Sequence, residues 1–273
     1  MVQTSHNSAQ QHTIQASLSV VIPAAGIGSR MASTTAKQYL RINKKTILEH
    51  TVELFLAHEL IDTVVVALHA NDSVFDSLDI AKHEKIQTIV GGAERVDSVL
   101  AGLQLLQKQD KSKNASANGT LHYVLVHDAA RPCLMPDTLD KLINTCITAH
   151  ANDQADGAIL ATPVIDTVKQ TTVTTESLEA NIDNNRCTHT VIEQSIDRNN
   201  LWLAQTPQMF AVNELCNAIE ANVRYKHLIT DEASAMEMSN KKVIIVESPA
   251  SNLKITRPQD IALAEFYLNK NRK

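Results

Sequence analysis

Hydrophobic residues along the chain form short continuous runs that alternate with segments of helical periodicity. The continuous, β-branched runs predict strands at residues 17–24, 63–68, 85–90, 123–126, 157–164 and 242–247. Helices are predicted, mostly from apolar spacings of three and four, at residues 46–58, 71–79, 95–107, 136–149, 212–223, 231–238 and 258–268. Alternating strands and helices predict an α/β fold: a Rossmann-like, mostly parallel sheet with helices on both faces.

Residues 165–200 interrupt this alternation. The segment is polar and rich in Thr and Asn, with alternating stretches such as residues 188–192. This pattern is typical of an inserted β-hairpin, here a projecting arm, rather than of another strand–helix unit. Residues 108–119 are predicted to be a polar loop. Residues 1–16 are polar and are predicted to be a disordered extension ahead of a single domain at residues 17–273.

Composition narrows the classes of protein to consider. The 273 residues carry a net charge of −5, which disfavours a general nucleic-acid binder because such proteins present a basic face. No apolar run approaches the roughly 20 residues of a membrane span, and the polar start does not match a secretory signal. We therefore expect a cytoplasmic protein with neither nucleic acid nor membrane as partner.

A glycine-rich loop, PAAGIGSRM, follows the first predicted strand. Its glycines allow backbone N–H groups to approach phosphates, and Arg30 and Lys37 add positive charge. The third glycine of a dinucleotide fingerprint is missing, and no GK[ST] follows as in a Walker loop. An ordinary tight turn with solvated basic residues stays open as the alternative.

Polar groups also follow later strands. Gly92, at the start of GGAERVDS, suits contact with a flat base, and the helix start at Ser98 suits an anion. Asp128, in HDAARP, suits a metal or a ligand hydroxyl, whereas Arg131 can hold a phosphate with two hydrogen bonds. Ligands bind beyond the carboxyl ends of parallel strands, so the turns after strands one, three, four and five should share one cleft. A capped turn and an Asp–Arg pair that closes a loop remain the structural alternatives.

Taken together, the ordered motifs are far more specific than any one of them. AAGIGSRM, KQYL, GGAERVDSVLAGL, VLVHDAARPCL, ATPVIDTVK, DRNNLWLAQTPQMF, TDEASAME and NLKITRPQDIALAE closely resemble those of the 2-C-methyl-D-erythritol 4-phosphate cytidylyltransferases, over residues 20–268. The resemblance implies transfer of CMP from CTP to this small phosphorylated polyol in non-mevalonate isoprenoid biosynthesis, with release of pyrophosphate and Mg²⁺ as cofactor. It also implies a homodimer whose arm reaches into the partner's active site.

The resemblance further implies roles for single residues. The catalytic residues that it implies are Arg30, Lys37 and Lys254. The nucleotide-binding residues are Ala24, Ala25, Gly26, Gly28, Gly92 and Ser98. The acceptor-binding residues are Asp128, Arg131, Thr167, Arg198, Thr230 and Lys254, of which Thr167 and Arg198 belong to the arm. Asp128 is also the candidate metal residue, directly or through water.

Three alternative functions can be distinguished from this one by features of the sequence. A ribitol-5-phosphate cytidylyltransferase shares several motifs, but such proteins tend toward Ala-Gly-Gly in the loop where this chain has Ala-Ala-Gly. A Rossmann oxidoreductase requires the third glycine and an acidic residue for the ribose. A non-catalytic nucleotide sensor would keep the glycine loop without needing Lys37 and Lys254.

Overall fold

The computed structural model describes residues 16–26, 36–113, 121–176 and 187–270. Its strands are β1 (Ala16–Pro23), β2 (Arg41–Ile42), β3 (Lys45–Thr46), β4 (Ile61–Leu68), β5 (Ile86–Val90), β6 (Leu121–Val126), β7 (Gly157–Pro163), β8 (Val168–Glu176), β9 (Cys187–Ile196), β10 (Trp202–Ala211) and β11 (Val243–Glu247). Its α-helices are α1 (Ile47–Leu56), α2 (Arg95–Lys113), α3 (Pro136–Ala151), α4 (Val212–Ala221), α5 (Glu232–Met238) and α6 (Gln259–Lys270). Short 3-10 helices occupy Lys37–Tyr39, Phe75–Ser77, Asp79–Lys82 and Val223–Leu228.

Seven strands form one sheet in the order β11-β7-β10-β6-β1-β4-β5. The pairs β1–β4, β1–β6, β4–β5 and β7–β11 are parallel, whereas β10 runs antiparallel to both β6 and β7. The prediction of a Rossmann-like, mostly parallel sheet is confirmed. The parallel strands end at one edge, which is where such sheets bind ligands.

The sheet separates two apolar layers. Val20 and Ile22 of β1 pack in one cluster with α1 and α3, whereas Val21 packs in another with α2, α4 and α5. This split follows from the pleat, which points successive side chains to opposite faces. Since both faces are covered, the strands read as continuous apolar runs.

Strand β10 is the largest error of the sequence prediction, which placed no strand there. Gln205, Pro207 and Gln208 break the apolar pattern, and a proline normally excludes a central strand. The structure places Pro207 where the β10–β7 register shifts between Ala204 and Gln208, after a cis Thr206–Pro207 bond. At such an irregularity a proline removes no hydrogen bond of the ladder, so the strand continues on either side.

Two smaller predictions are also wrong. Residues 108–113 continue α2 rather than form a loop, because Lys and Gln are good helix formers and need no apolar partner on the solvent side. The predicted helix at 71–79 is replaced by 3-10 turns from Phe75. The Asp72 carboxylate accepts hydrogen bonds from the N–H groups of Val74 and Phe75, a local arrangement that competes with a regular helix.

The predicted arm within residues 165–200 contains an antiparallel pair, β8 with β9, separate from the main sheet. The predicted extension at residues 1–16 lies outside the described residues except for Ala16, which already belongs to β1. In the described parts of the chain, no helix combines the length and the apolar character needed to cross a membrane.

Candidate active site

A cleft of about 450 Å³ opens where the loops after β1, β5 and β6 meet. This volume falls within the range of roughly 300–1,000 Å³ typical of small-molecule sites. The predicted residues that line it are Ala24, Ala25, Gly26, Lys37, Gly92, Ser98, Asp128 and Lys254. The prediction of a shared cleft is therefore confirmed for three turns. It is wrong for the turn after β7, which contributes no described lining residue.

A smaller pocket of about 230 Å³ adjoins this cleft. The two share Arg95, Asp128 and Lys254. The smaller pocket adds polar groups from the loop after β6, from β10 and from the residues just before α5, namely Arg131, Gln205, Thr206, Gln208, Thr230 and Asp231. A site of two compartments with charged residues between them can hold two polar ligands side by side.

Asp128 lies where the two compartments meet and contacts three cations, Arg95, Arg131 and Lys254. We call these four residues the Asp128 cluster. Its Oδ1 lies 3.3 Å from Arg95 Nε, and its Oδ2 lies 3.2 Å from Arg131 Nε and 3.0 Å from Lys254 Nζ. Burial favours the neutral acid, but the three positive charges outweigh burial and hold the pKa of Asp128 well below its usual value. The carboxylate is therefore ionised at every physiological pH.

The loop that carries Asp128 is fixed by the buried side chain of His127. Its Nε2 donates to the carbonyl oxygen of Arg131 at 3.0 Å, so Nδ1 is left to accept from the Thr206 hydroxyl at 3.1 Å. That hydroxyl in turn accepts from the Asp128 N–H at 3.0 Å. Burial lowers the pKa of His127 to about 4, which keeps the imidazole neutral and this hydrogen-bond pattern intact.

Lys37 projects from a short 3-10 helix whose other side chains are buried. Gln38 Nε2 donates to the Ala24 carbonyl at 2.7 Å, and Tyr39 donates its hydroxyl to Asp72 Oδ2 at 2.6 Å. Burial, followed by this contact with Asp72, raises the pKa of Tyr39 far above its usual value. Lys37 Nζ donates to the Ile255 carbonyl at 3.3 Å, so its ammonium lies near the loop that bears Lys254. The backbone that follows Lys37 is thus fixed by two buried side chains.

The glycines of the cleft serve different purposes. A Cβ atom at Gly92 would lie 2.2 Å from the Asp97 Cβ, so the turn into α2 cannot accommodate a side chain. Among the described residues, a Cβ atom at Gly26 would meet no atom within 4 Å, and Gly26 lines the cleft. The Gly92 N–H donates to Ser98 Oγ at 3.1 Å, which closes the turn after β5. Gly26 therefore borders a ligand-sized space, whereas Gly92 is required by packing.

Comparison with known proteins decides which kind of site this is. The model of the family IspD, 2-C-methyl-D-erythritol 4-phosphate cytidylyltransferase, matches residues 18–270. The chain belongs to this family. A relative of that name from Colwellia psychrerythraea is 45% identical over 92% of this chain and 94% of its own. One from Vibrio parahaemolyticus is 44% identical over 92% of this chain and 95% of its own.

Solved structures agree with the family assignment. The crystal structure of 2-C-methyl-D-erythritol 4-phosphate cytidylyltransferase from Francisella tularensis covers 92% of this chain and all of its own, with a TM-score of 0.69 and 32% identity. That from Thermus thermophilus covers 91% of this chain and 98% of its own, with a TM-score of 0.64 and 26% identity. The prediction of an enzyme, a nucleotidyltransferase of the cytidylyltransferase kind, is confirmed.

Two residues that the IspD resemblance implied are not brought into the site of their own chain, and two others are not described by the structure. Gly28 and Arg30 lie outside the described residues. Thr167 and Arg198 are exposed and line neither the cleft nor the smaller pocket. The described residues contain no group of three or more His, Cys, Asp or Glu side chains that could hold a metal ion. Both oxygens of Asp128 already contact cations, so its metal role stays a prediction.

Sequence reasoning missed buried residues that hold the IspD site together. Glu232 is 2% exposed and pairs with Arg95, although 137 residues separate them. Gln208 donates to Asp231 Oδ2 at 2.8 Å and accepts from the Ala233 N–H at 2.8 Å, which ties β10 to the start of α5. Asn252 accepts Arg131 Nη1 on its carbonyl at 2.7 Å. The sequence places these residues within the motifs TDEAS, TPQ and NLK, but no sequence pattern shows which residues they contact.

Proposed function

We propose that this protein transfers the cytidylyl group of CTP to 2-C-methyl-D-erythritol 4-phosphate and releases pyrophosphate, as a Mg²⁺-dependent homodimer of the isoprenoid pathway. One observation carries the proposal: a nucleotide-sized cleft and a smaller polar pocket adjoin and share Arg95, Asp128 and Lys254. Two phosphorylated substrates placed in these compartments would meet at the cluster's cations. A cytoplasmic location remains an expectation.

The larger cleft suits the nucleotide. The loop after β1 offers backbone groups at Ala24, Ala25 and Gly26, and Gly92 and Ser98 also border the cleft. Glycine backbones at strand ends allow the close approach that triphosphates and bases require. Lys37 and Lys254 both line this cleft and supply positive charge for the phosphates.

The smaller pocket suits a phosphorylated polyol. Arg131 and Lys254 can receive its phosphate, since both present N–H donors at the pocket. Hydroxyl groups of a polyol find partners among Thr206, Thr230 and Asp231. A site that hydrogen-bonds the hydroxyls of its substrate can also reject molecules that lack them.

The proposed reaction requires the protein to position the two substrates and to neutralise negative charge on the phosphates. An oxygen of the acceptor phosphate attacks the α-phosphorus of CTP, a new P–O bond forms, and the bond from that phosphorus to the bridging oxygen breaks as pyrophosphate leaves. Negative charge accumulates on the α-phosphate oxygens, and Lys37 and Lys254, with Arg30, would stabilise it electrostatically. No covalent intermediate with the protein is required.

Mg²⁺ fits this donor set as a companion of the triphosphate. Among the described lining residues the cleft offers the carboxylates of Asp128 and Glu94, and Mg²⁺ is usually held by one or two carboxylates together with substrate phosphates. Asp128, through water, would hold it without breaking the contacts of the Asp128 cluster. When bound, the ion would neutralise charge on the phosphate oxygens.

An acceptor comparison tests the proposed reaction. Pyrophosphate release should require CTP, Mg²⁺ and 2-C-methyl-D-erythritol 4-phosphate together, and omission of any one should abolish it. Ribitol 5-phosphate, assayed side by side, should be a much poorer acceptor; the relatives described above are all named for the methylerythritol substrate. Clearly faster release with ribitol 5-phosphate would transfer the assignment to the alternative enzyme.

The arm supports the proposal of a homodimer with shared sites. Thr167 and Arg198 lie on or beside the β8–β9 pair, away from both compartments of their own chain. Large apolar side chains are exposed along this region, as expected for a surface that a partner covers: Ile165, Val173, Val191, Ile192 and Leu203. The arm of one protomer would then bring Arg198 to its partner's smaller pocket.

Mixed dimers test this sharing. Arg198→Ala and Arg30→Ala should each inactivate the enzyme alone, because each removes one charge from every site. Mixing them should restore up to about a quarter of the wild-type activity, since half of the dimers would be mixed and each would hold one intact site. The readout is pyrophosphate release after subunit exchange, and absence of any recovery would argue against shared sites.

A further inference from the structure

Glu232 is a buried carboxylate that, among the described residues, contacts the site through Arg95. It is the first residue of α5 and 2% exposed, and its two oxygens receive the two terminal nitrogens of Arg95 at 2.5 Å and 3.0 Å. It lines neither the cleft nor the smaller pocket, whereas Arg95 lines both. A carboxylate so placed can influence substrates only by what it does to Arg95.

The geometry of Arg95 makes that influence specific. Its guanidinium is planar and rigid, so a partner that engages both terminal nitrogens also fixes the direction of the Nε–H. This Nε–H points at Asp128 Oδ1 at 3.3 Å. Oδ2 of Asp128 is thereby left to Arg131 and Lys254. Glu232 thus determines how the Asp128 carboxylate is divided among its three cations.

Arg95 lies at a position where the local backbone disfavours a positive charge. Arg95 begins α2, where the helix dipole favours negative rather than positive groups. Burial lowers the pKa of Arg95, but the charges of Glu232 and Asp128 more than reverse this and raise it. A cation at this helix start is therefore stabilised by its two carboxylate partners and oriented by them.

We infer that Glu232 is a positioning residue for the acceptor: it occupies the terminal nitrogens of Arg95 and so leaves Lys254 its place on Asp128 beside the smaller pocket. Without Glu232, the two-pronged face of Arg95 can turn onto Asp128 and engage both of its oxygens. Lys254 is 39% exposed and contacts the other residues of the cluster through Asp128 Oδ2. It would then be displaced toward solvent. This role rests on the proposed function.

Glu232→Gln is the direct test, since it removes the charge and keeps the shape. We expect the KM for the acceptor to rise roughly 10- to 100-fold, as when an outer partner of a site residue is lost, with a far smaller change in the KM for CTP. Arg95→Lys removes the two-pronged face that would turn onto Asp128, so adding it to Glu232→Gln should reverse most of this rise. Because Glu232 acts through Arg95, the double variant should be no worse than the more impaired single one.

A second readout does not depend on turnover. Acylation of Lys254 by an amine-directed reagent, followed by peptide mass spectrometry of the full chain, should be several-fold faster in Glu232→Gln than in wild type. It should return toward the wild-type rate when Arg95→Lys is added to that variant. Asp156→Asn is the matched control: Asp156 pairs with Lys241 at 2.8 Å, neither residue lines the cleft or the smaller pocket, and its loss should leave Lys254 labelling unchanged.

The experiments distinguish a failure of the role of Glu232 from a failure of the proposed function. Unchanged Lys254 labelling in Glu232→Gln, with an acceptor KM no higher than in Asp156→Asn, would overturn the role of Glu232. Additive effects in the double variant would also overturn it, because Glu232 would then act independently of Arg95. A wild-type protein that releases no pyrophosphate from CTP and this acceptor would refute the proposed function instead, and the labelling would still decide the role of Glu232.

Discussion

Replacing Lys37 with alanine should lower kcat by roughly 10²- to 10³-fold, the loss typical of a group that stabilises charge in the transition state. The affinity for CTP should change far less, because such a group acts on charge that develops only as the α-phosphate is attacked. The frame around Lys37 should survive the change, since Gln38 and Tyr39 hold this turn through their contacts with Ala24 and Asp72. Single-turnover kinetics and equilibrium CTP binding would measure the two effects separately.

Lys45→Ala provides the comparison for this experiment. Lys45 also lies close to α1 and carries the same charge, but it pairs with Glu53 on the surface, with 42% and 37% of the two side chains exposed. Its removal should leave both kcat and CTP affinity near wild-type values. If Lys37→Ala weakened CTP binding as much as it lowered kcat/KM, Lys37 would bind the ground state and the transition state equally, and its catalytic role would be lost.

The parts of the fold that the sequence predicted are those set by local pattern. Val20, Val21 and Ile22 are apolar because both faces of β1 are covered, so the strand could be recognised without knowing its neighbours. The same holds for α1, which begins at the capping box formed by Thr46 and Glu49. Such signals depend on the chain within a few residues and survive in any tertiary context.

The features that could not be predicted from the sequence depend on contacts between residues that are far apart along the chain. β10 is stabilised between β6 and β7 by ladder hydrogen bonds on both sides, which compensate for Pro207 and the glutamines in a way no local rule registers. Likewise the motifs placed Asp128 and Lys254 in one site, but not the division of Asp128 between three cations. The contact of Glu232 with Arg95 spans 137 residues and could be seen only after folding.

The Asp128 cluster should be the most sensitive point for stability. Asp128→Asn would leave Arg95, Arg131 and Lys254 without their common carboxylate, and losing one partner of a buried ion pair costs about 3–5 kcal/mol. Asp156→Asn makes the same chemical change at a pair whose side chains are 26% and 38% exposed, so it should cost about 0.2–1 kcal/mol. Urea unfolding at one protein concentration would compare them, and equal midpoints for Asp128→Asn and wild type would refute this assignment.

The same variant predicts a change in acid stability with a definite sign. The unfolded chain binds a proton at Asp128 near the ordinary pKa of 3.8, whereas the folded chain resists protonation until far lower pH, because the three cations hold that pKa down. The contribution of Asp128 is therefore complete above about pH 4 and is lost as the pH falls further, by up to about 1.4 kcal/mol per pH unit. Asp128→Asn, less stable at neutral pH, should lose less stability than wild type on going below pH 4. Parallel acid profiles for the two proteins would mean that Asp128 titrates as an ordinary carboxyl and that its contacts with Arg95, Arg131 and Lys254 do not persist in solution.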